Sequence, residues 1–142
     1  MGNVLTPAQI AAYAEQGYLC LPGFLSDNWL DRLEAAMDRF IEQSRLLTQS
    51  SAAILIEPGH IPERPRLRRI PQTGAFDPDF EEFGLSGPIV DIAEDLLGPD
   101  VRLHHSKLNF KWNDGGEEIK WHQDIQFWPH SNYSPLTIGV YL

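Results

Sequence analysis

The sequence Trp121-His122-Gln123-Asp124 holds an imidazole and a carboxylate two residues apart. Successive side chains of a β-strand point to opposite faces, so on a strand His122 and Asp124 project from the same face. This spacing aims one nitrogen and one anionic oxygen at a common point, as in the first two ligands of a 2-His-1-carboxylate Fe(II) site. The alternatives are a hydrogen-bonded core histidine and a carboxylate that caps a turn. A His-x-Asp pair is common by itself, so its interpretation depends on the surrounding sequence.

Three segments of the second half, residues 101–112, 118–128 and 136–142, alternate between polar and apolar residues as half-buried strands do. We expect the apolar faces to pack, and the polar faces to line a cavity in a small barrel that encloses a ligand. Besides the pair, the polar faces carry His105, Lys107, Asn109, Gln126, Trp128, Thr137 and Tyr141.

These residues resemble the phytanoyl-CoA dioxygenase family of Fe(II)/2-oxoglutarate oxygenases, which includes the ectoine hydroxylases. The resemblance starts in residues 5–10, continues through residues 17–26, and is densest over residues 104–142. Its core motifs are Ser106-Lys107-Leu108-Asn109-Phe110-Lys111, Trp121-His122-Gln123-Asp124 and Phe127-Trp128-Pro129-His130. The resemblance implies an α+β fold with a double-stranded β-helix (a cupin-like jelly roll) as its core, braced by N-terminal helices and incomplete in this chain.

The family chemistry implies that His122 and Asp124 bind Fe(II), and that 2-oxoglutarate is the cosubstrate. A small organic substrate is then hydroxylated with O2, and succinate and CO2 are released. Asn109, thirteen residues before His122, is implied to donate to the cosubstrate carboxylate, with a cross-strand hydrogen bond as the alternative. Further candidates are Lys107, Thr137 and Tyr141 for the cosubstrate, and His105, Gln126 and Trp128 for the substrate pocket.

In the family, a second iron histidine comes several strands later, followed by an arginine that binds the far carboxylate of 2-oxoglutarate. We expect both residues beyond Leu142. Residues 1–142 would then be a single domain, the N-terminal portion of a longer dioxygenase domain. The isolated segment is expected to bind iron weakly and not to turn over 2-oxoglutarate.

The first half of the sequence predicts a helical scaffold. Thr6, Pro7 and Gln9 form a capping box that begins one helix, and Ser26 caps a second. A third helix is predicted to start near Ser86 and to end at Gly98.

Two further segments of this half are predicted to lack helix. A short strand is predicted to end at Leu21, with Cys20 buried in it. Residues 58–71 are rich in proline and predict an extended surface loop. The alternative for this loop is anion recognition by Arg64, Arg66, Arg68 and Arg69.

Composition sets outer limits on function. With 142 residues the chain fits one domain, and its formal charge of −9 argues against nucleic-acid binding. No apolar run approaches the length of a membrane span, and the N-terminus has no signal pattern, so a cytoplasmic protein is expected. The rival classes are a non-catalytic cupin-like module that binds a metal or ligand, and a zinc hydrolase. The sequence selects neither a particular substrate nor an oligomeric state.

Overall fold

A computed structural model describes residues 4–113, 118, 120–127 and 134–142 of the chain, and this part has an α+β architecture. Its helices are α1 Pro7–Gln16, α2 Asp27–Ser44, α3 Pro78–Ser86 and α4 Pro88–Leu97. Its strands, β1 Leu55–Ile56, β2 Leu67–Pro71 and β3 Lys107–Asn109, form one antiparallel sheet in the order β1-β2-β3. Two 3₁₀ helices cover Thr73–Ala75 and Asp124–Phe127. None of the helices in these ranges combines the length and apolar content needed to cross a bilayer.

The helices begin where the sequence places caps. The Thr6 hydroxyl accepts from the Gln9 backbone N–H at 3.2 Å, and the Gln9 side chain accepts from the Thr6 backbone N–H at 2.8 Å, which completes the predicted capping box. Ser26 caps α2 through the backbone N–H of Trp29. The third predicted helix is α4, and Gly98 follows it at φ 101° as the expected stop. These three predictions are confirmed.

Helix α3 was not predicted, and it is joined to α2 by ion pairs. Asp77 is its N-cap and accepts from the Asp79 backbone N–H at 3.0 Å. The Arg39 guanidinium of α2 donates to both Asp77 oxygens, at 2.8 and 2.9 Å. Arg32, about two helical turns before Arg39 on the same face of α2, donates to Asp79 at 2.8 Å and to Glu82 at 2.5 Å. The α2–α3 pair thereby forms a braced unit beside the sheet.

Strand β2 is the centre of the sheet, and the prediction of a loop for its residues is wrong. Leu67 and Ile70 are fully buried and form the main core together with Phe40 and Ile54. They are three residues apart, yet both face inward, because the pairing with β1 skips Arg68 as a β-bulge. The buried residues of β2 therefore do not alternate with a period of two, and the neighbouring prolines are typical of a loop.

Several strand predictions are also wrong in the described residues. Of residues 101–112, only Lys107–Asn109 forms a strand, although Leu108 and Phe110 do pack against the core as expected. Residues 118, 120–127 and 134–142 contain no strand, and Asp124–Phe127 is a 3₁₀ helix. A strand persists only where a neighbour pairs its backbone groups, and no described strand lies beside these segments.

The segment around Cys20 also departs from its prediction. Residues 18–21 form no strand, and Cys20 is exposed rather than buried. As in the preceding cases, no neighbouring strand is described that could pair its backbone. The packing role expected of Cys20 is therefore wrong.

Candidate metal centre

His122 and Asp124 meet at their tips. Nε2 of His122 lies 3.2 Å from Oδ1 of Asp124. The predicted strand is absent, and the backbone forms a 3₁₀ turn that starts at Asp124. In this turn the Gln126 N–H donates to the Gln123 carbonyl at 3.3 Å. The convergence expected from the spacing is thus reached by a different backbone path.

A backbone hydrogen bond orients the imidazole of His122. Its Nδ1 lies 2.7 Å from the carbonyl oxygen of Lys120. A carbonyl oxygen only accepts, so Nδ1 carries the hydrogen and, in the neutral ring, Nε2 presents its lone pair to Asp124. Metal-binding histidines commonly donate their second ring N–H in this way, which fixes tautomer and ring orientation.

The pair fits two ligands of one divalent metal ion. With metal–ligand bonds of about 2.1 Å, a separation of 3.2 Å corresponds to a ligand–metal–ligand angle of roughly 95–100°. The side chains are 32% and 29% exposed, so an ion and further ligands can reach them. Without a metal, a protonated imidazole would make an ion pair with the carboxylate. Among the described residues, no group of three or more His, Cys, Asp or Glu side chains converges on a common point.

Two neighbouring segments reach the carboxylate of Asp124. The Thr137 hydroxyl donates to its second oxygen, Oδ2, over 3.5 Å, which is a long bond. Burial lowers the pKa of His105, the neighbouring His104 and Lys107 lower it further, and Asp124 opposes them. The interaction with Asp124 places His105 near the pair, whereas Lys107 and His104 are neighbours of His105, and His104 contacts it at 2.8 Å between their Nδ1 atoms.

Asn109 lies on β3 directly opposite Arg69 of β2. The Arg69 Nε–H donates to Oδ1 of Asn109 at 3.0 Å, so the cross-strand hydrogen bond considered as an alternative for Asn109 does form. That bond uses only the amide oxygen and leaves the amide NH2 group as a donor. Arg69 was predicted only within the alternative of an anion-recognition loop, and its contact with Asn109 was not predicted, because the two residues lie 40 positions apart in sequence.

Of the remaining predicted site residues, the two that the structure describes are exposed. Tyr141 is 97% exposed, and the inward face expected for it is absent because no strand forms there. Gln126 is exposed on the 3₁₀ turn, and Trp128 lies outside the described residues. His60 has a structural role: Nε2 lies 3.0 Å from the Ser44 carbonyl oxygen, and Nδ1 accepts from the Arg66 backbone N–H at 2.9 Å.

Comparison with known sequences identifies the protein family to which the chain belongs. It belongs to the phytanoyl-CoA dioxygenase (PhyH) family, whose profile matches residues 13–142. Over 76 residues the chain is 40% identical to a probable alpha-ketoglutarate-dependent hypophosphite dioxygenase of Stutzerimonas stutzeri, covering 54% of this chain and 26% of that protein.

Two other relatives match over a longer stretch. Identity is 27% over 124 residues to the ectoine dioxygenase of Sphingopyxis alaskensis, covering 87% of this chain and 39% of that protein. It is 28% over 123 residues to the L-proline trans-4-hydroxylase of Streptomyces griseoviridis, covering 84% and 41%. The chain therefore spans between a quarter and two fifths of the length of these relatives. No solved structure matches it significantly.

Proposed function

We propose that this chain supplies His122 and Asp124 as iron ligands to an Fe(II)/2-oxoglutarate-dependent dioxygenase that hydroxylates a small organic substrate. The observation that carries the proposal is the 3.2 Å approach of Nε2 to Oδ1, with Nδ1 held by the Lys120 carbonyl. Family membership supports it, as do relatives named as dioxygenases or hydroxylases, one of them alpha-ketoglutarate-dependent. O2 is the oxidant, and succinate and CO2 are the products of the cosubstrate.

The residues of this chain have separate tasks in that reaction. The Lys120 carbonyl fixes the His122 ring so that Nε2 faces the metal position, and the Thr137 hydroxyl contacts the Asp124 oxygen farther from the imidazole. Asn109 donates its amide NH2 to the cosubstrate carboxylate, and Lys107 adds positive charge on the same strand. The iron, when bound, supplies the activation of oxygen.

The complete active site belongs, in this proposal, to a longer polypeptide of which residues 1–142 are the N-terminal portion of one domain. The small sheet β1-β2-β3 is then one part of a double-stranded β-helix. The remainder supplies the second iron histidine and the arginine for the far carboxylate of 2-oxoglutarate. The support is that the chain spans 26–41% of the relatives' lengths.

An anaerobic titration tests the function. The protein expressed from its complete reading frame should give a weak visible charge-transfer band when Fe(II) and 2-oxoglutarate are both present, and should form succinate once O2 is admitted. His122→Ala should abolish both signals. Iron binding without the band would indicate a non-catalytic binding module, and retained zinc with no 2-oxoglutarate dependence would indicate a hydrolase; either result contradicts the proposal.

A further inference from the structure

The side chains of Arg69 and Asn109 are joined across the β2–β3 pairing. Their α-carbons are register partners, and the Nε–Oδ1 distance is 3.0 Å. Lys107 lies two residues from Asn109 on β3 and is the register partner of Pro71. Directly opposed residues of antiparallel strands share a face, so an arginine, an amide and a lysine lie on the face opposite the buried Ile70.

The hydrogen bond determines which way the amide of Asn109 points. Arginine has only donors, so the atom that meets its Nε–H must be the amide oxygen. The NH2 group of Asn109 is consequently turned away from Arg69 and kept as a donor. Without Arg69, rotation by about 180° about the Cβ–Cγ bond of Asn109 would exchange oxygen and nitrogen at little cost, and half of the orientations would present an acceptor.

Arg69 has no competing partner within the described part of the chain. The one hydrogen bond of its side chain there is the bond to Asn109, and no described carboxylate pairs with its guanidinium. A guanidinium whose role was only to brace the sheet would be expected to pair with an acid, as Arg32 and Arg39 do between α2 and α3. Its charge therefore remains available to the face that carries Asn109 and Lys107.

We propose that Arg69 is a positioning residue for cosubstrate binding: it holds the Asn109 amide so that NH2 faces the carboxylate of 2-oxoglutarate. This inference rests on the proposed function. Without Arg69, the Asn109 amide could present its oxygen to the carboxylate and would then repel it. Loss of Arg69 should therefore weaken 2-oxoglutarate binding and leave iron binding intact.

A double-mutant cycle on the protein from its complete reading frame tests this role. The dissociation constant of 2-oxoglutarate is measured anaerobically from the Fe(II) charge-transfer band in the wild type, Arg69→Met, Asn109→Ala and the double variant. We expect Arg69→Met to raise it about 5- to 10-fold, as for one lost oriented hydrogen bond. In the Asn109→Ala background the same change should have an effect of less than about twofold, because Arg69 acts through Asn109.

Two additional variants separate positioning from folding and from charge. Arg69→Gln can still donate one N–H to the Asn109 oxygen, so it should recover most of the affinity that Arg69→Met loses. Arg102→Met removes the same charge from an exposed site and should leave the constant unchanged. If Arg69→Met does not fold, the comparison of Arg69→Lys and Arg69→Gln replaces it. Lysine has only donors and glutamine also has an acceptor, so the lysine variant should bind 2-oxoglutarate at least as tightly as the glutamine variant, and weaker binding by the lysine variant would contradict the inference.

The outcomes distinguish the two proposals. A wild type with no band overturns both the proposed function and this inference. A wild type with the band, together with Arg69 variants that bind 2-oxoglutarate as tightly as it does, overturns the inference alone. So do independent, multiplicative losses from Arg69→Met and Asn109→Ala, because they would mean that Arg69 does not act through the amide.

Discussion

Nε2 of His122 and Oδ1 of Asp124 lie 3.2 Å apart, with the second ring nitrogen of His122 committed to the carbonyl of Lys120. In the neutral ring, two lone pairs face each other at this distance. Such an arrangement is unfavourable without a proton or a cation between the two atoms. Either a proton on Nε2 or, as we propose, a divalent metal ion would relieve this repulsion.

Removing either ligand should weaken iron binding. Loss of a residue that only supports a metal ligand commonly costs 10- to 100-fold in affinity, so His122→Ala and Asp124→Ala should each cost on the order of 100-fold or more. Anaerobic Fe(II) titration against a competing chelator measures this. Glu118→Gln, which neutralises an exposed carboxylate in the same segment, is the matched control. An iron affinity within twofold of wild type for His122→Ala would exclude the site.

The sequence predicted the helices better than the strands, for a physical reason. A helix cap is a local feature that involves residues within four positions of each other. Thr6 and Gln9 therefore predict the start of α1, and Ser26 predicts the start of α2. A strand depends on a partner far away in sequence, and β2 combines a bulge at Arg68 with a terminal proline, which breaks the alternation. Alternation in residues 118–128 predicted a strand that the described residues do not form.

The same distinction between local and distant contacts applies to the candidate site. The close approach of His122 and Asp124 could be anticipated because the two residues are neighbours in sequence, even though a 3₁₀ turn and not a strand brings them together. The contact between Arg69 and Asn109 spans 40 residues and depends on strand register, which no local pattern encodes. The roles of these residues in iron and cosubstrate binding stay predictions.

Asp77 combines a helix cap with an ion pair, and two substitutions separate the two contributions. Asparagine preserves a capping oxygen but loses the charge that meets Arg39, whereas alanine loses both. We expect the unfolding free energy to fall in the order wild type, Asp77→Asn, Asp77→Ala, with the last two separated by about 1 kcal/mol. Urea denaturation gives these values, with Asp100→Ala as an exposed control. Equal stability of the two Asp77 variants would show that the cap contributes nothing.

Ile70 is fully buried in the sheet that carries Asn109, so its packing should control both stability and the Arg69–Asn109 contact. Ile70→Val should cost about 0.5–1.5 kcal/mol and Ile70→Ala about 2–5 kcal/mol, because deletion leaves a cavity. Leu46→Ala, at a side chain 88% exposed, should change stability by less than about 0.5 kcal/mol. The prediction fails if chemical denaturation finds Ile70→Ala as mild as Leu46→Ala.

Acid should destabilise the α2–α3 unit. Hydrogen bonds from Arg39 and then Arg32 hold the pKa of Asp79 below its ordinary value of 3.8, and the hydrogen bond from Arg32 holds the pKa of Glu82 below 4.5. The unfolded chain therefore binds protons at these two carboxylates more readily than the folded chain does. The stabilisation from their ion pairs is complete above the pKa values of the unfolded chain, and it is lost as pH falls through the lower pKa values of the folded chain.

Unfolding free energies measured from about pH 6 downward should therefore decline on entering the range below about pH 4.5, and decline less steeply in Asp79→Asn. Asp31→Asn, a change to an exposed aspartate of α2, should retain the wild-type slope. A slope in Asp79→Asn identical to that of wild type would show that acid acts elsewhere, since the Arg32 and Arg39 contacts made by Asp79 would then contribute no proton linkage to folding.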